Sequence, residues 1–273
     1  MEIYGAGMAG LMAGNTLRRF KPEIHEAQGE LPNNHAALLR FRTDKASRAT
    51  HIPFKEVKVH KLISHAGRLY DKPNLKLSNM YSQKVTKKVM GRSINSLEPV
   101  TRFIAPPDFI GQMSHGLNIK FNSPLTKDVL KAREGVEGLD PIISTIPMPI
   151  LMDMVDWPNK PDFEYATIWS AWAQLEEPVS DVYQTVYFPD YTDPYYRLSI
   201  TGDQFIAEFI EDPNVHYVSN DQKRPELNMF EDLAACIARE FGIHSFRFKT
   251  PLEIKEQAYG KLVPIMIVTG KHV

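Results

Sequence analysis

Glu2-Ile3-Tyr4-Gly5-Ala6-Gly7-Met8-Ala9-Gly10 stands at the start of the chain, and its reading decides the fold. A short apolar run enters three glycines spaced G-x-G-x-x-G. Ala9–Phe20 follows with Leu11, Met12, Leu17 and Phe20 at helical spacing, and Glu23–Ala27 reads as a second short strand. Strand, glycine turn, helix and strand within about 30 residues form a βαβ unit, the seed of a parallel sheet. In that setting Gly5 permits the tight turn, Gly7 lets backbone approach a pyrophosphate, and Gly10 allows close helix–strand packing. The free N–H groups and positive end of the helix then face the phosphates. Glu26 closes the second strand 21 positions after Gly5, where a carboxylate accepts hydrogen bonds from a ribose. No arginine replaces it to receive a 2′-phosphate. A glycine turn in an unrelated α/β protein is the plainer reading, and the common register of strand, turn, helix and acid argues against it.

Working outward, the chain does not wind on directly after the acid, as an NAD-type domain does. It departs into Pro32-Asn33-Asn34-His35 and a basic stretch, and a buried strand returns only at Pro141–Ile146. A dinucleotide domain split by long insertions points to FAD. Val57-Lys58-Val59 alternates like a strand, Tyr81 to Arg102 is crowded with Lys and Arg, Asp108–His115 reads as a short helix and Leu117–Phe121 as a strand. Val182–Phe188, Tyr196–Ile200 and Gln204–Ile210 are strand-like runs separated by turn sequences, so this region is expected to be antiparallel. Asn228–Phe241 has Phe230, Leu233, Ile237 and Phe241 on one face with Gly242 just beyond, the pattern of an amphipathic helix. Cys236 lies within it and reads as a buried, inert thiol. The 20 prolines are scattered and mark no single linker, and no repeat is present.

Composition narrows the function classes. With 32 Lys+Arg against 33 Asp+Glu, the 273-residue chain lacks the basic excess of a nucleic-acid or anionic-membrane binder. Its 43% hydrophobic and 24% charged residues exclude a disordered chain. One cysteine rules out an internal disulfide and a cysteine metal cluster. No basic segment followed by an apolar run opens the chain, and no apolar stretch approaches about 18 residues, so the cytoplasm is the expected location. No H-E-x-x-H, G-x-S-x-G or paired-cysteine motif is present, and His51, His60 and His65 are too loosely spaced for a metal site.

Several stretches resemble the flavoprotein superfamily of UDP-galactopyranose mutases, protoporphyrinogen oxidases and FAD-dependent amine oxidases. Ile3–Glu26 is similar to their FAD fingerprint. Asp140-Pro141-Ile142-Ile143-Ser144-Thr145-Ile146-Pro147-Met148-Pro149 resembles their "D-x-V-I-S-T-I-P-L-P" strand and turn. Tyr81-Ser82-Gln83-Lys84-Val85-Thr86 is similar to the mutase "Y-x-x-K-x-W-G" without its Trp, and Pro194-Tyr195-Tyr196-Arg197-Leu198-Ser199 resembles "P-F-Y-R-V-S". The family's closing "G-R-x-x-x-W/Y" segment finds no counterpart after Tyr259-Gly260-Lys261, so a shortened C-terminus is expected.

The resemblance implies an α/β fold. Its Rossmann-like FAD-binding domain, of the glutathione-reductase type, would span residues 1–50, 103–160 and 242–273. An inserted mixed or antiparallel substrate subdomain would span 51–102 and 161–241. It implies FAD contacts from Gly5, Ala6, Gly7, Met8, Ala9, Gly10, Glu26, Ala27, Arg40, Thr145 and Pro147. His35 would sit against the flavin ring, and Arg40 would stabilise negative charge on a reduced flavin. A surface histidine and solvated arginines compete with that reading. Lys84, Arg92, Arg102, Tyr196 and Arg197 would line the pocket of a small, anionic substrate, since guanidinium forks suit carboxylates and phosphates; a solvated basic face is the alternative. Trp169, Trp172 and the aromatic 183–196 region would wall that pocket, or simply pack a sheet. The expected function is an FAD-dependent oxidoreductase or a mutase-like flavoenzyme on a small polar substrate. A non-catalytic nucleotide-binding module derived from the same fold is the alternative.

Overall fold

The computed structural model describes residues 1–31, 39–91, 93–134, 136, 138–162, 165–175, 183–213, 232–233, 235–236, 239–241, 253–260 and 266–268. In chain order the first elements are β1 (Glu2–Tyr4), α1 (Met8–Thr16), β2 (Glu23–His25), β3 (Arg40–Phe41), α2 (Lys45–Thr50), β4 (Lys55–His65) and β5 (Arg68–Tyr70). They are followed by α3 (Leu75–Thr86), β6 (Val100–Ile104), α4 (Phe109–Ser114), β7 (Asn118–Lys120), α5 (Lys127–Lys131), β8 (Ile142–Ser144) and α6 (Met148–Met154). The last are β9 (Tyr165–Gln174), β10 (Tyr183–Tyr187), β11 (Tyr195–Thr201), β12 (Gln204–Phe209), β13 (Glu253–Gly260) and β14 (Met266–Val268).

The chain falls into two compact units. Unit 1 comprises Met1–Lys55, Phe103–Glu164 and Gly260–Val273; unit 2 comprises Glu56–Arg102 and Tyr165–Tyr259. Unit 1 is built on a five-stranded sheet in the order β14-β8-β1-β2-β7. β8, β1, β2 and β7 run parallel, and β14 is antiparallel at the edge. The βαβ reading of the opening residues therefore holds, with β8 as the return strand on the other side of β1. All three residues of β8 are buried, as its apolar run requires. Ile3, Leu11 and Ile24 are wholly buried between α1 and the sheet, worth about 2 kcal/mol each in removed apolar surface. The helix is shorter than its apolar spacing predicts. It ends at Thr16, and a 3₁₀ turn over Arg18–Phe20 stops at Lys21, whose backbone is left-handed.

Unit 2 carries a larger mixed sheet in which β13, β9, β12, β11, β10 and β4 are successive neighbours. β9 to β12 to β11 to β10 are antiparallel, as the turn sequences predict. β10, however, pairs β4 in parallel, Tyr183 opposite Val59 through Tyr187 opposite Ile63. β4 is eleven residues long, far beyond the Val57–Val59 alternation. One sheet face packs Leu198, Ile200, Phe205 and Phe209 around Leu233 and Cys236. The other packs Ile63, Tyr187 and Tyr196 against Leu77 and Tyr81 of α3. Residues 232–233, 235–236 and 239–241 are helical, in line with the expected Asn228–Phe241 helix, whose remaining residues lie outside those described. Burial pushes the Cys236 thiol up to about 12, which keeps it an unreactive thiol rather than a nucleophile.

Candidate functional site

Two of the three glycines of the opening motif are required by the chain itself, each for its own reason. Gly5 has φ +99°, and a Cβ there would lie 2.6 Å from Thr145 Oγ1, so conformation and space both demand glycine. Its N–H donates to His25 O at 2.8 Å, tying the turn to β2. A Cβ on Gly10 would stand 1.7 Å from Gly5 O, so that residue lets α1 press onto the turn. Gly7 differs from both. Its φ is −67°, which any residue adopts, and a Cβ there meets no atom within 4 Å. Nothing within the described chain requires glycine at position 7.

Gly7 is also the N-cap of α1. It supplies no side-chain cap, and no acid lies in the first turn. The first helical bond runs from Leu11 N–H to Gly7 O at 3.0 Å. The N–H groups before it have no intrahelical acceptor, and the positive end of a nine-residue helix gathers there. Beside it stands Glu26, only 8% exposed. Its Oε2 accepts from Ala6 N–H at 2.7 Å and its Oε1 from Gln28 N–H at 3.0 Å. A carboxylate has about four acceptor positions, so two remain for hydroxyl donors. Glu26 therefore holds the glycine turn as well as offering acceptors, a structural duty the sequence did not disclose.

Thr145 backs the same turn. Its N–H donates to Tyr4 O at 2.8 Å, and its hydroxyl lies 3.1 Å from both Tyr4 O and Gly5 O. Pro147 is exposed at the start of α6, Ala27 and Ala9 are exposed, and Met8 is half-buried. Gly14 was not anticipated. One turn beyond Gly10, it leaves room for the Ile24 side chain, which a Cβ would meet at 2.6 Å. A fourth glycine at helical spacing was the signal available.

The remaining expected residues do not form one cluster of available charge. His35 and Arg92 lie outside the described residues. Arg40 is half-buried on β3, opposite Ile104 of β6. Arg102 is half-buried, and its Nη1 donates to Thr101 O at 2.8 Å. Lys84 is 3% exposed, and its ammonium donates to the carbonyls of Phe188, Asp190, Asp193 and Tyr195. Burial pushes that amine down to about 8, opposed by Asp193 and Asp190. Arg197 forms a two-pronged ion pair with Glu208 across the β11–β12 ladder, and the Tyr196 hydroxyl donates to the same carboxylate at 3.2 Å.

Lys84 and Arg197 thus both have partners inside unit 2. The sequence signal missed was Glu208. It sits between apolar neighbours in Phe205–Phe209, where a lone acid on a buried strand needs a cation. Trp169 packs against one face of the same sheet, and Trp172 is half-buried opposite Ile206.

No family model matches the chain, and no curated protein matches it in sequence. Solved structures do match in shape. A reduced UDP-galactopyranose mutase superposes with TM-score 0.55 at 14% identity, over 95% of this chain and 82% of that one. A flavin-dependent brominase carrying three substitutions gives TM-score 0.54 at 13% identity, covering 97% of this chain and 68% of the other. The fold is that of the Rossmann-type flavoproteins. A protein from Photorhabdus luminescens assigned as an FAD-containing monooxygenase gives TM-score 0.50 at 11% identity, over 96% of this chain and 77% of its own. Among the described residues no helix is long and apolar enough to cross a membrane, and no group of three His, Cys, Asp or Glu is placed to hold a metal.

Proposed function

We propose that the protein is an FAD-binding flavoenzyme, an oxidoreductase or a mutase-like enzyme, acting on a small polar substrate. The observation that carries this reading is Gly7, a glycine required by neither conformation nor internal packing, at the uncapped N-terminus of α1. A pyrophosphate supplies the missing reason, because any side chain at that position would fill the space between phosphate and helix. The residues present fit the cofactor. The backbone of Gly7, Met8 and Ala9 would face the pyrophosphate, and Glu26 would accept from the adenosine ribose with its remaining lone pairs. Gly5, Gly10 and Thr145 would hold the turn in shape. When bound, the flavin supplies hydride and electron transfer.

Unit 1 is read as the cofactor unit and unit 2 as the substrate unit. His35 and Arg40 stand as the proposed flavin-side residues. Arg92, Arg102 and Tyr196 remain the proposed substrate contacts.

The test is the visible absorption of the purified protein, with the nucleotide released on denaturation identified by mass. A flavin spectrum, release of FAD and a rise in melting temperature on adding FAD support the reading. A colourless protein whose melting temperature FAD does not move would overturn it, and would favour a non-catalytic module on the same fold.

A further inference from the structure

Lys84 lies on the buried side of α3, and four carbonyl oxygens surround its ammonium. Asp190 O stands at 2.6 Å, Tyr195 O at 2.8 Å, Asp193 O at 2.9 Å and Phe188 O at 3.0 Å. An ammonium has three protons, so four oxygens cannot each hold a separate hydrogen bond. The arrangement is that of a cation in a shell of carbonyl dipoles. Removed from it, the four oxygens would converge on one another away from water, each at a cost. From the other side the Asp190 carboxylate grips the β4–β5 turn, accepting from Ala66 N–H at 2.9 Å and facing His65 Nδ1 at 2.5 Å.

We propose that Lys84 is a tethered cation that templates the Phe188–Tyr195 loop, whose carbonyls form a site selective for small ammonium-type cations. Its consequence lies one residue further on. The β11–β12 register shifts between Tyr195 and Arg197, which marks a bulge at Tyr196. Tyr195 points into the cluster with Phe188 and Phe209, whereas Tyr196 points into the opposite cluster with Tyr81 and Tyr187. Because of the bulge, Tyr196 and Arg197 both reach Glu208. Lys84 holds the carbonyl of Tyr195, immediately before that bulge. It is thus a positioning residue for the Tyr196–Arg197–Glu208 network, and this role does not depend on the flavin reading.

The experiment is chemical rescue of Lys84→Ala, which empties the shell without blocking it. Chymotryptic cleavage after Tyr191 and Tyr195 is expected to rise at least about tenfold over wild type, because local opening sets the cleavage rate. Ammonium or methylammonium chloride should restore protection, and tetramethylammonium chloride at equal concentration should not, since it lacks N–H donors. Wild-type cleavage in Lys84→Ala, or equal protection by all three salts, would overturn the proposal. Should Lys84→Ala fail to fold, the wild-type protein still decides the matter by nitrogen-15 lysine NMR. The Lys84 ammonium protons, separated from those of buried Lys61 by comparison with Lys61→Arg, are expected to exchange slowly with solvent. Exchange as fast as that of surface lysines would overturn the proposal.

Discussion

At residues 5–10 the chain gathers backbone N–H groups, and at residues 188–195 it gathers backbone carbonyls. The two loops settle their polarity in opposite ways. In unit 2 a cation from the same chain fills the carbonyl shell, and Arg197 nearby is neutralised by Glu208. In unit 1 only one donor of the turn, Ala6 N–H, is taken by an acid, while the space over Gly7 stays open. Lys84 and Arg197 are therefore engaged internally, whereas Gly5 to Gly10, a stretch with no charge at all, is the one we propose for an anion.

Substitutions can break this contrast, and the largest effect is expected at Gly10. Gly10→Val must drive a side chain into the Gly5 carbonyl, 1.7 Å from where its Cβ would stand. Loss of stability above about 4 kcal/mol, read by chemical denaturation, places it among the rare severe substitutions. A stable Gly10→Val would mean that α1 does not lie on the turn as described.

Glu208→Ala sharpens the other side of the comparison. It leaves Arg197, 24% exposed, without the Glu208 carboxylate and removes one hydrogen bond from the Tyr196 hydroxyl. The expected cost is about 3 kcal/mol, at the low end for breaking a buried pair because Arg197 keeps some water. A melting temperature within a degree or two of wild type would show that the pair is not internal to unit 2, and would return Arg197 to the list of substrate contacts.

Glu26→Ala comes next, at about 2 kcal/mol, since it strands the N–H groups of Ala6 and Gln28. This loss should be present without any nucleotide, and FAD affinity should fall as well. Loss of affinity with unchanged stability would mean that Glu26 serves the ligand alone.

These expectations show where the sequence was legible. Local rules located the parallel strands of unit 1. The glycine spacing, the Ile3 and Ile24 strands and the apolar Ile142–Ser144 run each followed from contacts close in sequence or from full burial. The three antiparallel strands of unit 2 were equally plain, because turn residues punctuate them. What escaped was set by distant partners. α3 buries Ser78, Ser82 and Lys84 beside Leu77 and Tyr81, so its inner face does not stand out as apolar in the sequence. Its start is marked only by Asn74, whose side chain caps Leu77 N–H. The parallel pairing of β10 with β4 joins residues more than a hundred positions apart, and no local pattern encodes it. The role of Lys84 was hidden for the same reason, because backbone carbonyls leave no mark in a sequence.

Gly7→Val carries the central claim and should have the smallest effect on the fold. The Cβ of valine there meets open space at an ordinary φ, and exchanging glycine for valine at the N-cap costs about 1 kcal/mol, so stability without nucleotide should fall only slightly. The decisive measurement is FAD titration of wild type and Gly7→Val, followed by flavin fluorescence with melting curves taken alongside. The account predicts binding by wild type, no measurable binding by Gly7→Val, and melting temperatures of the two apoproteins within a few degrees of each other. Equal FAD affinity in the two proteins would contradict it.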